Sequence, residues 1–260
     1  MKTKKNILRI ISLLVVAATI ISYSCSGGSK SKDDKITLTT NIEVGEQIYL
    51  VINADEENRE NVWIDLNGNG KKDEGEDEID FGERQEFEVE SQTITVYGKV
   101  TRFTCFSMRV SELDVTHSPD LWDLSCGQNA ISKLDVSKNT KLKELMCHSN
   151  KLTSLDLSNN TALHKMNISG NNMEQLKVKE LPELQYIELH KNSLSKETLT
   201  SLFNAFPTRN DIGRGSTGSV ILTEPLAGDR ENNEITPELI QLLKDKNWRP
   251  IKRERGNVDL

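Results

Sequence analysis

Cys105, Cys126 and Cys147 are spaced 21 residues apart, and thiols are the residue type that most readily carries redox or metal chemistry. A thiolate metal site needs ligands at close, convergent spacing such as Cys-x-x-Cys, and the chain has none. A second set of candidate ligands is built from oxygen. Asp65, Asn67, Asn69, Asp73 and Glu76 stand at places 1, 3, 5, 9 and 12 of a twelve-residue segment, with Gly70 at place 6 and the Lys71 carbonyl at place 7. That is the spacing by which an EF-hand loop surrounds calcium, and a structural Ca2+ ion is the cofactor expected there. Strand-like Val62-Trp63-Ile64 precedes the loop where an EF-hand has a helix, and the competing reading is an Asn-Gly hairpin turn in an acidic surface. Gly213-Arg-Gly215-Ser-Thr-Gly218 has the letters of a dinucleotide fingerprint, which requires a strand before it and a helix after it. Here the order is helix, glycines, strand, so a loop is expected. Among the histidines, His148 and His190 fall in equivalent slots about 9–10 Å apart by strand spacing, too far to share one metal. No nucleophile elbow, zinc-protease helix or phosphate loop occurs. No catalytic residue is assigned, and an enzyme is not expected.

The elements that position these residues repeat. The chain reads Leu121-x-x-Leu124-x-Cys126-x-x-Asn129-x-Ile131-x-x-Leu134-Asp-Val136, and the same phrase returns from Leu142 to Leu157. A fixed period of this length, with Leu at fixed offsets and Asn after the strand, marks a leucine-rich-repeat solenoid. Stepping by 21 gives Phe103, Leu124, Leu145, Met166 and Ile187 in one column and Cys105, Cys126, Cys147, Ile168 and Leu189 in another. The cysteines thus share their slot with Ile and Leu and are expected to be buried thiols. Stacked strands lie ~4.8 Å apart, and parallel in-register Cβ atoms at that distance exceed the ~3.8 Å of a disulfide. Asn129, Asn150, Asn171 and Asn192 form a third column, expected to bond backbone groups in the turns.

Alternate residues of each strand face outward. The outward set is Arg102, Thr104 and Phe106; Asp123, Ser125 and Gly127; Glu144, Met146 and His148; Lys165, Asn167 and Ser169; Tyr186, Glu188 and His190. Aromatic and thioether side chains among charges suit a recognition surface.

The ends bound the rest. Lys2, Lys4, Lys5 and Arg9 precede the short apolar run Ile10 to Ile21, a secretory pattern too short to span a bilayer. It closes on Ser22-Tyr-Ser-Cys25, which resembles a bacterial lipobox, with Cys25 the lipidated residue and 26–35 a polar tether. Without the leader the chain has 29 basic against 40 acidic residues, which argues against nucleic acid or an anionic membrane surface as partner. The membrane is expected to be met through the lipid alone. Short, alternating, β-branched segments from 36 to 99 predict a small all-β, sandwich-like domain carrying the EF-hand-like loop. The expected architecture is mixed. That β domain leads into about five 21-residue leucine-rich-repeat coils over 100–195, closed by an α/β cap over 196–260 with helices from Lys196 and Pro237.

The Leu-x-x-Leu-x-Cys-x-x-Asn and Leu-Asp-(Val/Leu)-Ser-x-Asn phrases, with Thr93-Ile-Thr-Val-Tyr-Gly-Lys-Val-Thr101 leading into them, resemble the internalin-like leucine-rich-repeat surface lipoproteins of Bacteroidetes. The cysteine-ladder repeats are similar to those of internalins, and the segment Lys32-Asp33-Asp34 is similar to the export signal of surface lipoproteins. The resemblance implies a monomeric outer-membrane lipoprotein, exposed at the cell surface, that binds an extracellular protein or glycoprotein in adhesion. A glycan-capturing envelope component or a structural spacer are the alternatives.

Overall fold

The computed structural model of the protein describes residues 34–209, 218–223, 232–254 and 256–259. Cys25 with the leader, the tether up to residue 33 and Gly213 to Thr217 of the glycine-rich segment lie outside them. The described residues belong to one compact unit, Ser31–Leu260.

β1 (Lys35–Thr40) and β2 (Gln47–Asn53) alternate strictly between buried and half-buried positions, Ile36 and Leu38 on one and Ile48, Leu50 and Ile52 on the other. This is the pattern of strands with one face against a core. A 3-10 helix, Glu56–Asn61, then leads to β3 (Trp63–Asp65), β4 (Arg84–Glu88), β5 (Thr93–Tyr97), β6 (Arg102–Thr104) and β7 (Val110–His117). These strands divide between two sheets. β3, β5, β1 and β7, in that order, make a four-stranded antiparallel sheet. β4, β2 and β6 open a larger sheet, with Ile52 opposite Phe103.

From β6 onward the larger sheet grows by one parallel strand every 21 residues: β8 (Asp123–Ser125), β9 (Glu144–Met146), then β11 (Lys165–Asn167) and β13 (Tyr186–Glu188). The register aligns Phe103, Leu124, Leu145, Met166 and Ile187, all buried, so the leucine column of the sequence is an interior column of the sheet. On the opposite side β10 (Ser154–Asp156) and β12 (Gln175–Lys177) pair in parallel through Leu155 and Leu176. The helix α1 (Lys196–Asn204) follows, capped by Ser195 accepting from the Thr198 N–H, with Leu199, Leu202 and Phe203 buried. β14 (Gly218–Thr223) then adds to β13, α2 (Pro237–Asp245) crosses with Leu239 and Leu243 buried, and β15 (Trp248–Glu254) and β16 (Gly256–Asp259) complete ten strands. Phe206 packs its ring against Phe203 and Trp248, sealing the last repeat.

The boundary expected near residue 100 coincides with no gap in sheet or core. One hydrophobic cluster runs from Ile36 to Trp248, and β7, from within the first repeat, crosses to the four-stranded sheet. The first strand of a repeat stack has an open edge and an open core, and β2 and β4 cover both.

Two asparagine ladders tie the repeats together. Asn150 donates through Nδ2 to the carbonyls of Cys126 (2.9 Å) and Cys147 (3.1 Å), one in the preceding repeat and one in its own, and accepts from the Ile131 N–H. Asn129, Asn171 and Asn192 repeat this bridge. Asn233, from beyond α1, supplies a further rung: it donates to the Leu189 carbonyl and accepts from the Leu194 N–H. Asn139 and Asn160 form the second ladder on the opposite side. Just before the first ladder the chain takes a left-handed step in each repeat, at Ser107, Gln128, Ser149, Gly170 and Lys191, with φ between 54° and 62°. This step turns the next residue inward, Met108 in the first repeat and Asn in the other four. Only one repeat fills the step with the residue that adopts it without strain.

Candidate functional site

The thiols are structural. Cys105, Cys126 and Cys147 are free and fully buried. Burial pushes Cys105 and Cys147 up to about 12 and raises Cys126 as well. Thiols held neutral in this way are poor nucleophiles and poor ligands.

The outward positions form three rows across the large sheet. The first runs Asn53, Arg102, Asp123, Glu144, Lys165, Tyr186, and the second Val51, Thr104, Ser125, Met146, Asn167, Glu188. The third, just past the strand ends, holds Phe106, Gly127, His148, Ser169 and His190. β2 and β4 extend the same face, where Arg84 lies over the Tyr49 ring at 4.5 Å. Tyr49, Val51 and Arg84 were not assigned from the sequence, because their pairing with β6 is antiparallel and carries no period.

Exposure along the rows is uneven. Phe106 is 37% exposed, Lys165 is exposed, and Arg102, Glu144, Met146, His148, Asn167 and Tyr186 are half-buried. Asp123, Glu188 and His190 were expected to meet solvent and are instead buried at 8%, 7% and 4% exposure. Neighbours one strand spacing away shield a side chain in the middle of such a ladder. Asp123 lies 3.0 Å from Arg102 Nε, and burial, against the pull of Arg102, raises its carboxyl above the usual range. Glu188 accepts the Tyr186 hydroxyl, and Lys165 sits over the Tyr186 ring. His148 packs against Phe106 with ring centroids 5.7 Å apart, and burial lowers its pKa below 6.5, against the smaller influence of Glu188. Trp122, just before β8, is 36% exposed and carries no repeat signal in the sequence.

In the acidic loop, Asp65 and Glu76 are buried and their carboxylates accept backbone N–H groups. Asp65 takes those of Gly68, Asn69 and Gly70, and Glu76 those of Leu66 and Asp73. Asn67 and Asn69 both donate their amides to Asp73 Oδ2, which holds that carboxyl below the ordinary carboxylate value. Their amide oxygens are turned instead to the N–H groups of Asn69 and Lys71. Among the described residues no group of three or more His, Cys, Asp or Glu is arranged to hold a metal ion.

A groove of about 510 Å³ on the opposite side runs between Asp135 and Asp156. Each carboxylate accepts a backbone N–H, from Ser137 and Ser158 respectively, so both are committed to turns. No described helix is long and apolar enough to cross a membrane. Gly218, last of the glycine-rich segment, opens β14 against the Trp248 ring, where a Cβ would come within 2.5 Å. Its role is packing.

No protein-family model matches the chain, and no curated protein matches it. Among solved structures it is similar to the functional domain of InlJ from Listeria monocytogenes, described as including a cysteine ladder. Identity there is 27% over 48% of this chain and 27% of that one, with a TM-score of 0.40. It is also similar to an internalin, inlF, from the same organism, at 16% identity over 58% of this chain and 59% of that one, with a TM-score of 0.28. The chain spans about a quarter and three fifths of these two proteins' lengths. The period, the stacked strands and the asparagine ladders themselves define a leucine-rich-repeat fold.

Proposed function

We propose that this is a non-enzymatic recognition protein whose large-sheet face binds an extracellular protein or glycoprotein, held at the outer membrane by a lipid on Cys25. In this reading a small β sandwich, about five repeats and an α/β cap form a monomeric, internalin-like surface lipoprotein. The observation that carries it is the composition of the open face. Phe106, Met146 and Tyr186 stand among Arg102, Glu144 and Lys165 in outward rows along short strands whose inward residues are buried in the core. Aromatic and arginine side chains on a rigid support are what interface hot spots are made of. The test is a screen of extracellular proteins and glycans on arrays, with wild type and the Met146→Lys/Tyr186→Ala double variant. Loss of at least tenfold in affinity is expected. Equal binding by both would remove the face from the interaction, and hits confined to glycans would favour the glycan-capture alternative. Labelling with a fatty-acid analogue tests the anchor, since Cys25→Ala should lose both the label and the membrane association.

We infer separately that the loop from Asp65 to Glu76 takes a structural calcium ion. The support is the place of its oxygen donors and a simple geometric fact. Turning the Asn67 and Asn69 amides by 180° would bring two oxygens beside Asp73 with no backbone movement. The turn breaks the bonds those oxygens now accept from the Asn69 and Lys71 N–H groups, a loss the ion would have to offset. Trp63, stacked on Tyr97 at 4.2 Å and two residues before Asp65, provides the readout. Added calcium should change its fluorescence and raise Tm, and the absence of both changes would eliminate the site.

A further inference from the structure

In the third outward row Gly127 stands between Phe106 and His148. A Cβ on Gly127 would come within 2.7 Å of the imidazole Cε1 and 2.9 Å of Nδ1, so the histidine ring occupies the space that a side chain would take. From the other side the Phe106 ring reaches over the glycine and meets the imidazole at a 45° tilt. In this pose Nδ1 is closed off from solvent with no hydrogen-bond partner among the described residues. A neutral imidazole has one N–H, which the other ring nitrogen can carry, whereas the protonated ring must donate at both. A buried charged donor without an acceptor costs more than a neutral nitrogen left unpaired. The pose therefore belongs to the neutral ring.

The charged and titratable side chains around this position lie on five strands. Glu144 shares the histidine's own repeat, Asp123 and Arg102 lie on the two preceding strands, Lys165 on the next, and Glu188 and His190 on the one beyond. Arg102 is engaged with Asp123 and Lys165 with the Tyr186 ring. Glu188 is the group whose charge acts on the imidazole, and it favours the protonated form. Burial against Gly127 and Phe106 favours the neutral form and is the stronger influence.

We propose that His148 is an acid-operated latch on the recognition face: neutral, it fills the notch above Gly127 and covers one side of Phe106; protonated, it turns out of the notch toward Glu188 and leaves Phe106 and the Gly127 backbone open. The latch rests on the reading of this face as a recognition surface and adds its regulation. Mild acid exposes an apolar notch in the middle of the face, and neutral pH closes it. The movement is a side-chain rotation that leaves the strands and the asparagine ladder in place.

Proton–carbon NMR of the histidine Cε1–H groups tests this in the isolated protein, with His148→Gln assigning the resonance. Between about pH 8 and about pH 5, the range in which an imidazole titrates, His148 should titrate with a midpoint below 6.5. Its displacement by the Phe106 ring current should be lost with the same midpoint. In Phe106→Leu the displacement should be absent at every pH while the titration persists, and Glu188→Gln should move the midpoint lower. A midpoint at or above 6.5, or a titration that leaves the ring-current displacement intact, overturns the latch. No partner enters the measurement, so failure to find a ligand would remove the recognition reading and leave this result standing.

Discussion

Replacing Asn150 by Ala removes one rung of the first ladder, and its cost follows from what each bonded group loses. Asn150 is 8% exposed and makes two short donations, to the Cys126 and Cys147 carbonyls, and one acceptance, from the Ile131 N–H. The two carbonyls keep a second donor, Asn129 on Cys126 and Asn171 on Cys147. Their loss is therefore the net value of an ordinary hydrogen bond, about 1 kcal/mol each. The Ile131 N–H loses its acceptor inside the core, which costs about 1–3 kcal/mol. The sum is about 3–5 kcal/mol, or about 6–20 °C in Tm at the ~2–4 °C per kcal/mol of a domain this size. Asn139→Ala provides the comparison. Its Nδ2 donates to the Val115 and Ser118 carbonyls, but its Oδ1 accepts nothing, so the variant strands no N–H and should lose about 2 kcal/mol. Urea unfolding of both variants decides the matter. A loss below 1 kcal/mol for Asn150→Ala, or one no larger than that of Asn139→Ala, would refute the reasoning that the accepting oxygen dominates.

The left-handed column predicts a stabilising change. Gln128 holds φ of 55° with an exposed side chain, and Gln128→Gly should gain about 0.5–1 kcal/mol, the relief of ~1–2 kcal/mol less the entropy of a glycine. Gly170→Ala should lose a similar amount, and opposite signs in urea unfolding would overturn both expectations. Cys105, Cys126 and Cys147 should resist thiol reagents at about pH 8 in the native protein and react fully in denaturant, because burial removes both access and thiolate; native labelling mapped to these three by mass spectrometry would contradict the buried ladder. Because burial lowers the folded-state pKa of His148 below 6.5, the unfolded chain binds the proton more readily. Its contribution to stability is then complete above pH 6.5 and is lost as the pH falls toward the folded value, so His148→Gln should flatten the stability–pH profile in that window. An unchanged slope would count against the buried neutral ring.

The repeat columns were legible because they obey a period. Phe103 to Ile187 and Cys105 to Leu189 came from counting by 21, and the sheet register reproduces that count. Asn233 was not legible, because it fills the rung after Asn192 at a distance of 41 residues, with α1 and β14 inserted between them. Likewise β2 and β4 join the sheet by antiparallel pairing, which leaves alternation in the sequence but no sign of the strand they adjoin. The buried state of Asp123, Glu188 and His190 escaped for another reason. Strand alternation gives the direction of a side chain, whereas its exposure depends on the neighbours stacked on either side, and those are set by tertiary register.

That last distinction narrows where recognition can occur. In a stack with one strand every ~4.8 Å, a short side chain between two longer ones is shielded even on the outward face. Asp123 shows this, beside Arg102 and Glu144. Access therefore falls to side chains that outreach their neighbours, as Lys165 does, or whose neighbour in the row is small, as that of Phe106 is at Gly127, where His148 fills the space from the other side. A glycine in the outward row thus makes a notch on the surface without disturbing the core column one residue away, where Cys126 remains fully buried. Specificity can change by altering the size sequence of an outward row while the period, the ladders and the fold stay fixed. Gly127→Ala should accordingly displace the His148 ring and alter the open face far more than it alters stability.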